Sequence, residues 1–187
     1  IGFYDSLFFT NINRSKAIFR EMLNRGVKVR LGNLDGRSKQ LADADDELWE
    51  LMQETRTYSI FCGAESGDDE TLKAMTKEIV VEDNYRFAKR CHKYGIKVVF
   101  GSMVGLPLVN HSIKELTQKT DDQIESNIQM FDTILSKDKR HRAQIFIYCP
   151  YPGTSMYEDS IRLGFKEPKS LVEWGKITYF ERPVPWV

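Results

Sequence analysis

Long apolar runs are absent. No stretch approaches the roughly 20 residues that a bilayer-spanning helix needs, and no charged-then-apolar leader opens the chain. Net charge is absent too: among 187 residues, 27 Lys and Arg face 27 Asp and Glu, which argues against the basic face of a nucleic-acid binder. Cysteine and histidine are scarce, three of each. Cys62, Cys91 and Cys149 form no CxxC pair, and His92, His111 and His141 form no HExxH helix. A disulfide framework and a zinc helix are thereby excluded, and unpaired thiols suit a reducing cytoplasm. There is no GxGxxG dinucleotide fingerprint and no GxxxxGK[ST] phosphate loop. Gly63-Ala64-Glu65-Ser66-Gly67 carries its serine one place too late for a nucleophile elbow. The expectation is a cytoplasmic protein with no membrane span, no nucleic-acid partner and no metal held by its own residues.

What is present is a rhythm. Hydrophobic residues make up 41%, with 11 Phe, 8 Tyr and 3 Trp to fill a core. Apolar or alternating stretches predict strands over 1–9, 27–31, 58–63, 96–104 and 143–149. Between and after them, helical spacing predicts helices over 14–25, 45–54, 68–75, 82–94, 121–135 and 155–163, with Thr120 as the N-cap of the fifth. Strict strand–helix alternation means a parallel sheet of about five strands with helices outside it. Ligands of such sheets gather at the carboxyl ends of the strands. Those ends carry Tyr4-Asp5-Ser6, Gly32–Arg37, Gly63–Gly67, Gly101–Pro107 and Tyr148–Thr154. Glycine and proline punctuation beside aromatic residues suits a nucleoside-sized ligand.

The order of five short segments carries a resemblance: Phe3-Tyr4-Asp5-Ser6-Leu7-Phe8, Gly63-Ala64-Glu65-Ser66-Gly67, Leu72…Lys77, Gly105-Leu106-Pro107 and Pro150-Tyr151-Pro152-Gly153-Thr154. Together they resemble the radical S-adenosylmethionine (SAM) superfamily, and within it the cobalamin-associated branch that includes anaerobic magnesium-protoporphyrin monomethyl ester cyclase. The resemblance implies α/β architecture, strands 2–6 of a partial (β/α)₆ barrel over 1–164, with 165–187 as an extension. It also implies reductive cleavage of SAM to a 5′-deoxyadenosyl radical in an oxidoreductase, cyclase or methyltransferase. That chemistry needs a [4Fe–4S] cluster held by CxxxCxxC. The motif is missing here, so the resemblance implies a piece of a longer enzyme whose cluster ligands, and cobalamin as a second cofactor, lie outside these residues.

Carried over residue by residue, the resemblance places Asp5 at the SAM ammonium, where a carboxylate makes a charge-assisted bond. It places Glu65 at the ribose, because a carboxylate accepts from both hydroxyls of a diol. Lys77 falls to the SAM carboxylate, with Arg37 a second candidate for that task. Ser66, Ser102, Gly105, Tyr148 and Pro150 line the remainder, with Gly101 bringing backbone close to the ligand. Asp5 departs from the pattern at its neighbour, Ser6, where relatives often carry a second acid. Leu108-Val109-Asn110 stands where Gly-Glu-Thr is usual. No residue acts as general acid, base or nucleophile in this reading. Partners are a small-molecule substrate and an electron donor. The apolar edge near Ile1–Phe8 offers a route to dimerisation. Two other readings stay open: a conventional (β/α) barrel enzyme using Asp5, Glu65 and Lys77 for acid–base work, and a noncatalytic barrel that binds a nucleoside or a partner.

Overall fold

The computed structural model describes residues 1–3, 5–108, 111–177 and 184–187; Tyr4, Val109 and Asn110, part of the sequence pattern above, lie outside them. Four parallel strands form one open sheet in the order β1 (Leu34–Arg37), β2 (Ser59–Glu65), β3 (Lys97–Val104) and β4 (Arg142–Ile147). Helix α1 (Ile12–Asn24) precedes β1, and α2 (Ser38–Asp43) and α3 (Asp46–Glu54) connect β1 to β2. Helices α4 (Asp69–Ala74) and α5 (Val81–Lys93) lead to β3, and α6 (Ile113–Lys137) leads to β4. Helices α7 (Tyr157–Arg162) and α8 (Leu171–Trp174) follow. The parallel sheet with outer helices is what the alternation predicts, and the partial (β/α) barrel is what the resemblance implies. No helix of the described residues is long and apolar enough to cross a membrane.

The expected first strand shrinks to one bridge, Gly2 to Gly32, and Phe8–Thr10 is a 3₁₀ turn. Consecutive side chains of a strand point to opposite faces. Phe8 and Phe9 are both buried, their rings 5.1 Å apart and edge-on, and only a turn puts both in one core. The expected apolar edge is correspondingly small: Ile1 and Phe3 are exposed, Phe8 and Phe9 are not. The second strand lies at Leu34–Arg37 rather than 27–31, where only Leu31 bridges to Thr57. Asn33, at φ +53°, interrupts the extended chain between the two.

The helix expected from 121 begins eight residues earlier, at Ile113. Its cap is Ser112, not Thr120. Ser112 Oγ accepts from Glu115 N at 3.3 Å and Glu115 accepts from Ser112 N at 2.7 Å, a reciprocal capping box. Thr120 sits inside the helix, its hydroxyl donating to Leu116 O at 2.9 Å. Ser112→Ala should therefore cost about 1 kcal/mol of stability, and Thr120→Val should leave the helix start untouched. Urea titration of both variants distinguishes the two caps.

The main core lies between the sheet and its helices, around Phe19, Trp49, Phe87, Phe100 and Ile134. Trp49 stacks on Tyr94 at 5.5 Å and donates Nε1–H to Leu41 O. A second cluster joins the start of α6 to α7 and the C-terminal residues: Leu116, Tyr157, Phe165, Val184 and Trp186.

Candidate functional site

Period-two alternation splits the sheet. Leu34, Ile60, Cys62, Val98 and Phe100 face the helices and are buried. Asp35 and Arg37 of β1, Phe61 and Gly63 of β2, Val99, Gly101 and Met103 of β3, and Gln144 and Phe146 of β4 face the other way. That second face opens into cavities.

At the carboxyl end of this face Glu65 occupies an unusual backbone. Its φ is +64°, and Ser66 N donates to Ala64 O at 2.8 Å, closing a three-residue turn centred on Glu65. The pairing register slips here, Gly63 opposite Gly101 but Glu65 opposite Ser102. A non-glycine residue at such φ is strained, and strain of this kind persists only where surrounding contacts hold it. Two buried asparagines hold it. Asn84 Nδ2 of α5 donates to Ala64 O at 3.1 Å, and Asn127 Oδ1 of α6 accepts from Gly67 N at 2.7 Å. Gly67 lies so near α6 that a Cβ would stand 2.3 Å from Ser126 O.

The turn aims the Glu65 carboxylate back over Gly63, where a Cβ would meet Glu65 Oε1 at 2.8 Å. Lys77 Nζ donates to the same oxygen at 2.9 Å. The lysine reaches it because α4, capped by Asp68 through Thr71 N, ends in a tight turn with Thr76 at φ +56°. Glu65 and Lys77 line a cleft of 540 Å³ together with Gly63, Arg37, Ser38, Lys39 and Thr76. Beside it, Gly63 and Gly101 lie directly opposite each other. A Cβ on Gly101 would press on the rings of Phe146 and Phe61 at 3.2 and 3.3 Å. Paired glycines framed by two aromatic rings leave backbone open to a flat ligand.

Asp5 is not in this cleft. It lines a second cavity of 560 Å³ with Asn33, Asp35, Phe61, Val99 and Gln144, two residues back along β1 and β2 on the same face. Its carboxylate accepts from Leu7 N and from Arg14, each at 3.1 Å. Asp35, which sequence reasoning passed over, shares that cavity. Burial first, and then the Asp5 charge, push its carboxyl above the usual aspartate range. Under acid Asp35 is protonated folded or unfolded and has no effect. As pH climbs through the aspartate range the unfolded chain ionises first, so the native state loses stability. Asp35→Asn should remove this loss, its advantage over the parent growing from about pH 3 to pH 7 in thermal melts.

The other sequence-predicted residues lie elsewhere. Ser66 is fully buried and its Oγ accepts from Asp68 N at 3.2 Å, a turn-stabilising bond. Ser102 shares the helix-covered face with Val98 and Phe100, and its buried Oγ has no hydrogen bond. Gly105, at φ +76°, donates N–H to Gln123 Oε1 and accepts from Trp186 Nε1, each at 2.9 Å. Val187 packs on Gly105, so the C-terminal residues cover it. Tyr148 extends β4 through its N–H to Val104 O, its buried hydroxyl unpartnered, and Pro150 is buried beside it. Sequence reasoning missed Asn84, Asn127 and Gln123. Their signal was a polar residue set on the apolar stripe of a helix.

Cys62, Cys91 and Cys149 are all buried. Burial pushes each thiol up, Cys62 and Cys91 far up. Iron–sulfur ligation requires thiolates close together, and among the described residues no group of His, Cys, Asp and Glu could hold a metal.

The fold has solved counterparts. The chain superimposes on the radical SAM methyltransferase TsrM of Kitasatospora setae, solved with cobalamin and a [4Fe–4S] cluster, with TM-score 0.65 and 16% identity over 86% of this chain and 30% of that one. It superimposes on the cobalamin-dependent SAM radical enzyme OxsB with TM-score 0.55 and 19% identity, over 85% of this chain and 21% of that one. In sequence it is 24% identical over 161 residues to an uncharacterized methyltransferase of Pyrococcus horikoshii, which is 86% of this chain and 31% of the relative. No family profile matches the chain. The four-stranded sheet thus has the fold of part of the (β/α) barrel in these solved structures, and the chain spans less than a third of the length of each of these proteins.

Proposed function

We propose that this chain is part of a radical SAM catalytic domain and that the Glu65–Lys77 cleft holds SAM. The observation that carries the reading is the strained turn at Glu65. Two buried asparagines hold it at a strand end, and it sets a carboxylate against an ammonium beside a glycine notch. The donor set fits the ligand. Glu65 accepts from the ribose diol. Lys77 turns to the carboxylate of the amino acid, and Gly63 and Gly101 let the backbone approach. The Asp5–Asp35 cavity, two residues further back, receives the ammonium. SAM together with its iron–sulfur cluster supplies one-electron reductive cleavage; the protein binds, orients and excludes water.

The three buried cysteines do not fit a cluster, so its ligands come from residues outside this chain. Cobalamin, bound in TsrM and OxsB, is a second cofactor in this proposal, also held outside. Of the reaction types that the sequence resemblance allows, methyl transfer gains support from the likeness to TsrM and the Pyrococcus relative, both described as methyltransferases. The substrate is a small molecule, the electron comes from a separate donor, and any dimer would form near the exposed Ile1 and Phe3. The test is anaerobic reconstitution of the full-length protein, reduction, and incubation with SAM. Release of 5′-deoxyadenosine or S-adenosylhomocysteine supports the reading. A reduced, cluster-loaded protein that neither binds nor turns over SAM refutes it. The 187-residue chain alone should take up no stoichiometric cluster in the same reconstitution.

A further inference from the structure

The zero net charge of the chain conceals a separation of charge. Helices α1, α3, α5 and α6 each lead into a strand, and the four connecting loops, with the first residue of each strand, form the rim opposite the Glu65 cleft. These residues, 25–34, 55–59, 94–97 and 138–142, carry eight of the chain's 27 basic side chains and one of its 27 acidic ones. The single acid, Asp138, is buried and paired with Arg140. The remainder of the chain is acidic by the margin that the rim is basic. The cations adjoin one another. Arg30 lies over the Tyr58 ring at 4.8 Å, Lys97 N donates to Tyr58 O at 2.9 Å, and Arg140 donates to Gly95 O at 3.2 Å. Among the described residues the side chains of Lys28, Arg56, Lys97 and Lys139 make no ion pair. The negative end of a helix accounts for Arg25, just past α1. It does not account for Lys97 and Arg142, which start strands, or for Arg30 beside the Leu31–Thr57 bridge.

We infer that this rim docks an acidic protein segment that carries apolar residues among its carboxylates. Charge complementarity sets the sign of the partner and speeds its approach. The side chains between the cations favour protein over nucleic acid. Val27 and Tyr58 are exposed there, at 42% and 40%, and apolar, tyrosine and arginine side chains together make the centre of protein interfaces. Tyr58 offers no open platform for a base: Arg30 lies over its ring, and the ring packs so closely on Gly32 that a Cβ there would stand 2.3 Å from it. The acidic remainder of the chain repels a polyanion long enough to run past the rim. The docked segment leaves the Glu65 cleft free. Lys97 stands five residues before Ser102, which pairs with Glu65, so rim and cleft are about 17 Å apart along the strand. This surface is therefore independent of the SAM reading.

The test is equilibrium binding of the full-length protein to three probes: a peptide of about 20 residues alternating Glu with Leu and Phe, a single-stranded RNA of the same formal charge, and phosphatidylserine vesicles. One variant reverses the rim through Lys28→Glu, Arg30→Glu and Lys139→Glu. A second, Lys114→Glu with Lys166→Glu and Lys169→Glu, makes the same change of net charge at the far end of α6 and beyond α7. At about 150 mM salt the peptide should bind the parent, and the rim variant should bind it about tenfold or more weakly, with the second variant within about twofold of the parent. Gln in place of Glu at the three rim positions is the milder substitution, and should cost about threefold. The inference is overturned if the peptide does not bind, or if the rim variant loses no more than the second variant. RNA or vesicles that bind more tightly than the peptide, and lose that binding in the rim variant, overturn it too, since the rim is then a nucleic-acid or membrane face.

Discussion

Replacing Glu65 by Ala in the full-length protein should weaken SAM binding by about 1–3 kcal/mol, the range for stranding hydrogen-bonding groups in a buried site, or roughly five- to 150-fold. Lys77→Ala should act in the same direction but less, because Lys77 is 40% exposed against 22% for Glu65 and exposed charges are screened. The double variant should lose less than the sum, since the two side chains contact each other. Stability gives a second reading of the same residue. At φ +64° a Cβ is strained, so Glu65→Gly should be more stable than Glu65→Ala by about 1 kcal/mol. In regular structure glycine is the less stable of the two. Equilibrium binding and thermal melts of the three variants check both statements. Unchanged SAM affinity in Glu65→Ala and Lys77→Ala alike would mean the cleft is not the SAM site.

Trp186→Ala should be the most destabilising substitution in the C-terminal segment, at about 3–5 kcal/mol. Trp186 is fully buried, anchors the second cluster with Leu116, Tyr157 and Phe165, and donates its indole N–H to Gly105 O. For a chain of this size that is a fall of roughly 6–20 °C in melting temperature. Trp186→Phe keeps most of the bulk and loses the hydrogen bond, so it should cost only about 1 kcal/mol. The substitution also tests the link to the strand end. Val187 covers Gly105 only while Trp186 is seated, so amide exchange at Gly105 should quicken in Trp186→Ala. A melting temperature equal to the parent's would show that the C-terminal residues do not pack as described.

Alternation of strand-like and helix-like segments is a local property, and it was enough to predict the parallel sheet and its outer helices. The resemblance set Glu65 and Lys77, twelve residues apart, on one ligand, and in the structure the two side chains meet. The misreadings were local competitions that tertiary packing decided. Phe8 and Phe9 have strand propensity, yet both needed the same core, and a turn replaced the strand. Thr120 resembled a cap until the Ser112–Glu115 box captured the helix start eight residues earlier. Asp5 and Asp35 are far apart in sequence and lie on one face only because Gly2 bridges to Gly32 beside β1. Asn84 and Asn127 read as flaws in apolar helix stripes, and no pattern along the chain reveals which backbone they will satisfy.

By itself, then, the sequence determined the period of its elements and the segments that reach the strand ends, since these follow from neighbours within a few residues. The tertiary structure alone decided that Glu65 takes a left-handed turn and that Asp5 sits in a separate cavity. The Glu65 turn, for one, depends on groups 20 to 60 residues away, the Asn84 and Asn127 bonds that clamp it, and such contacts exist only once the helices have packed on the sheet.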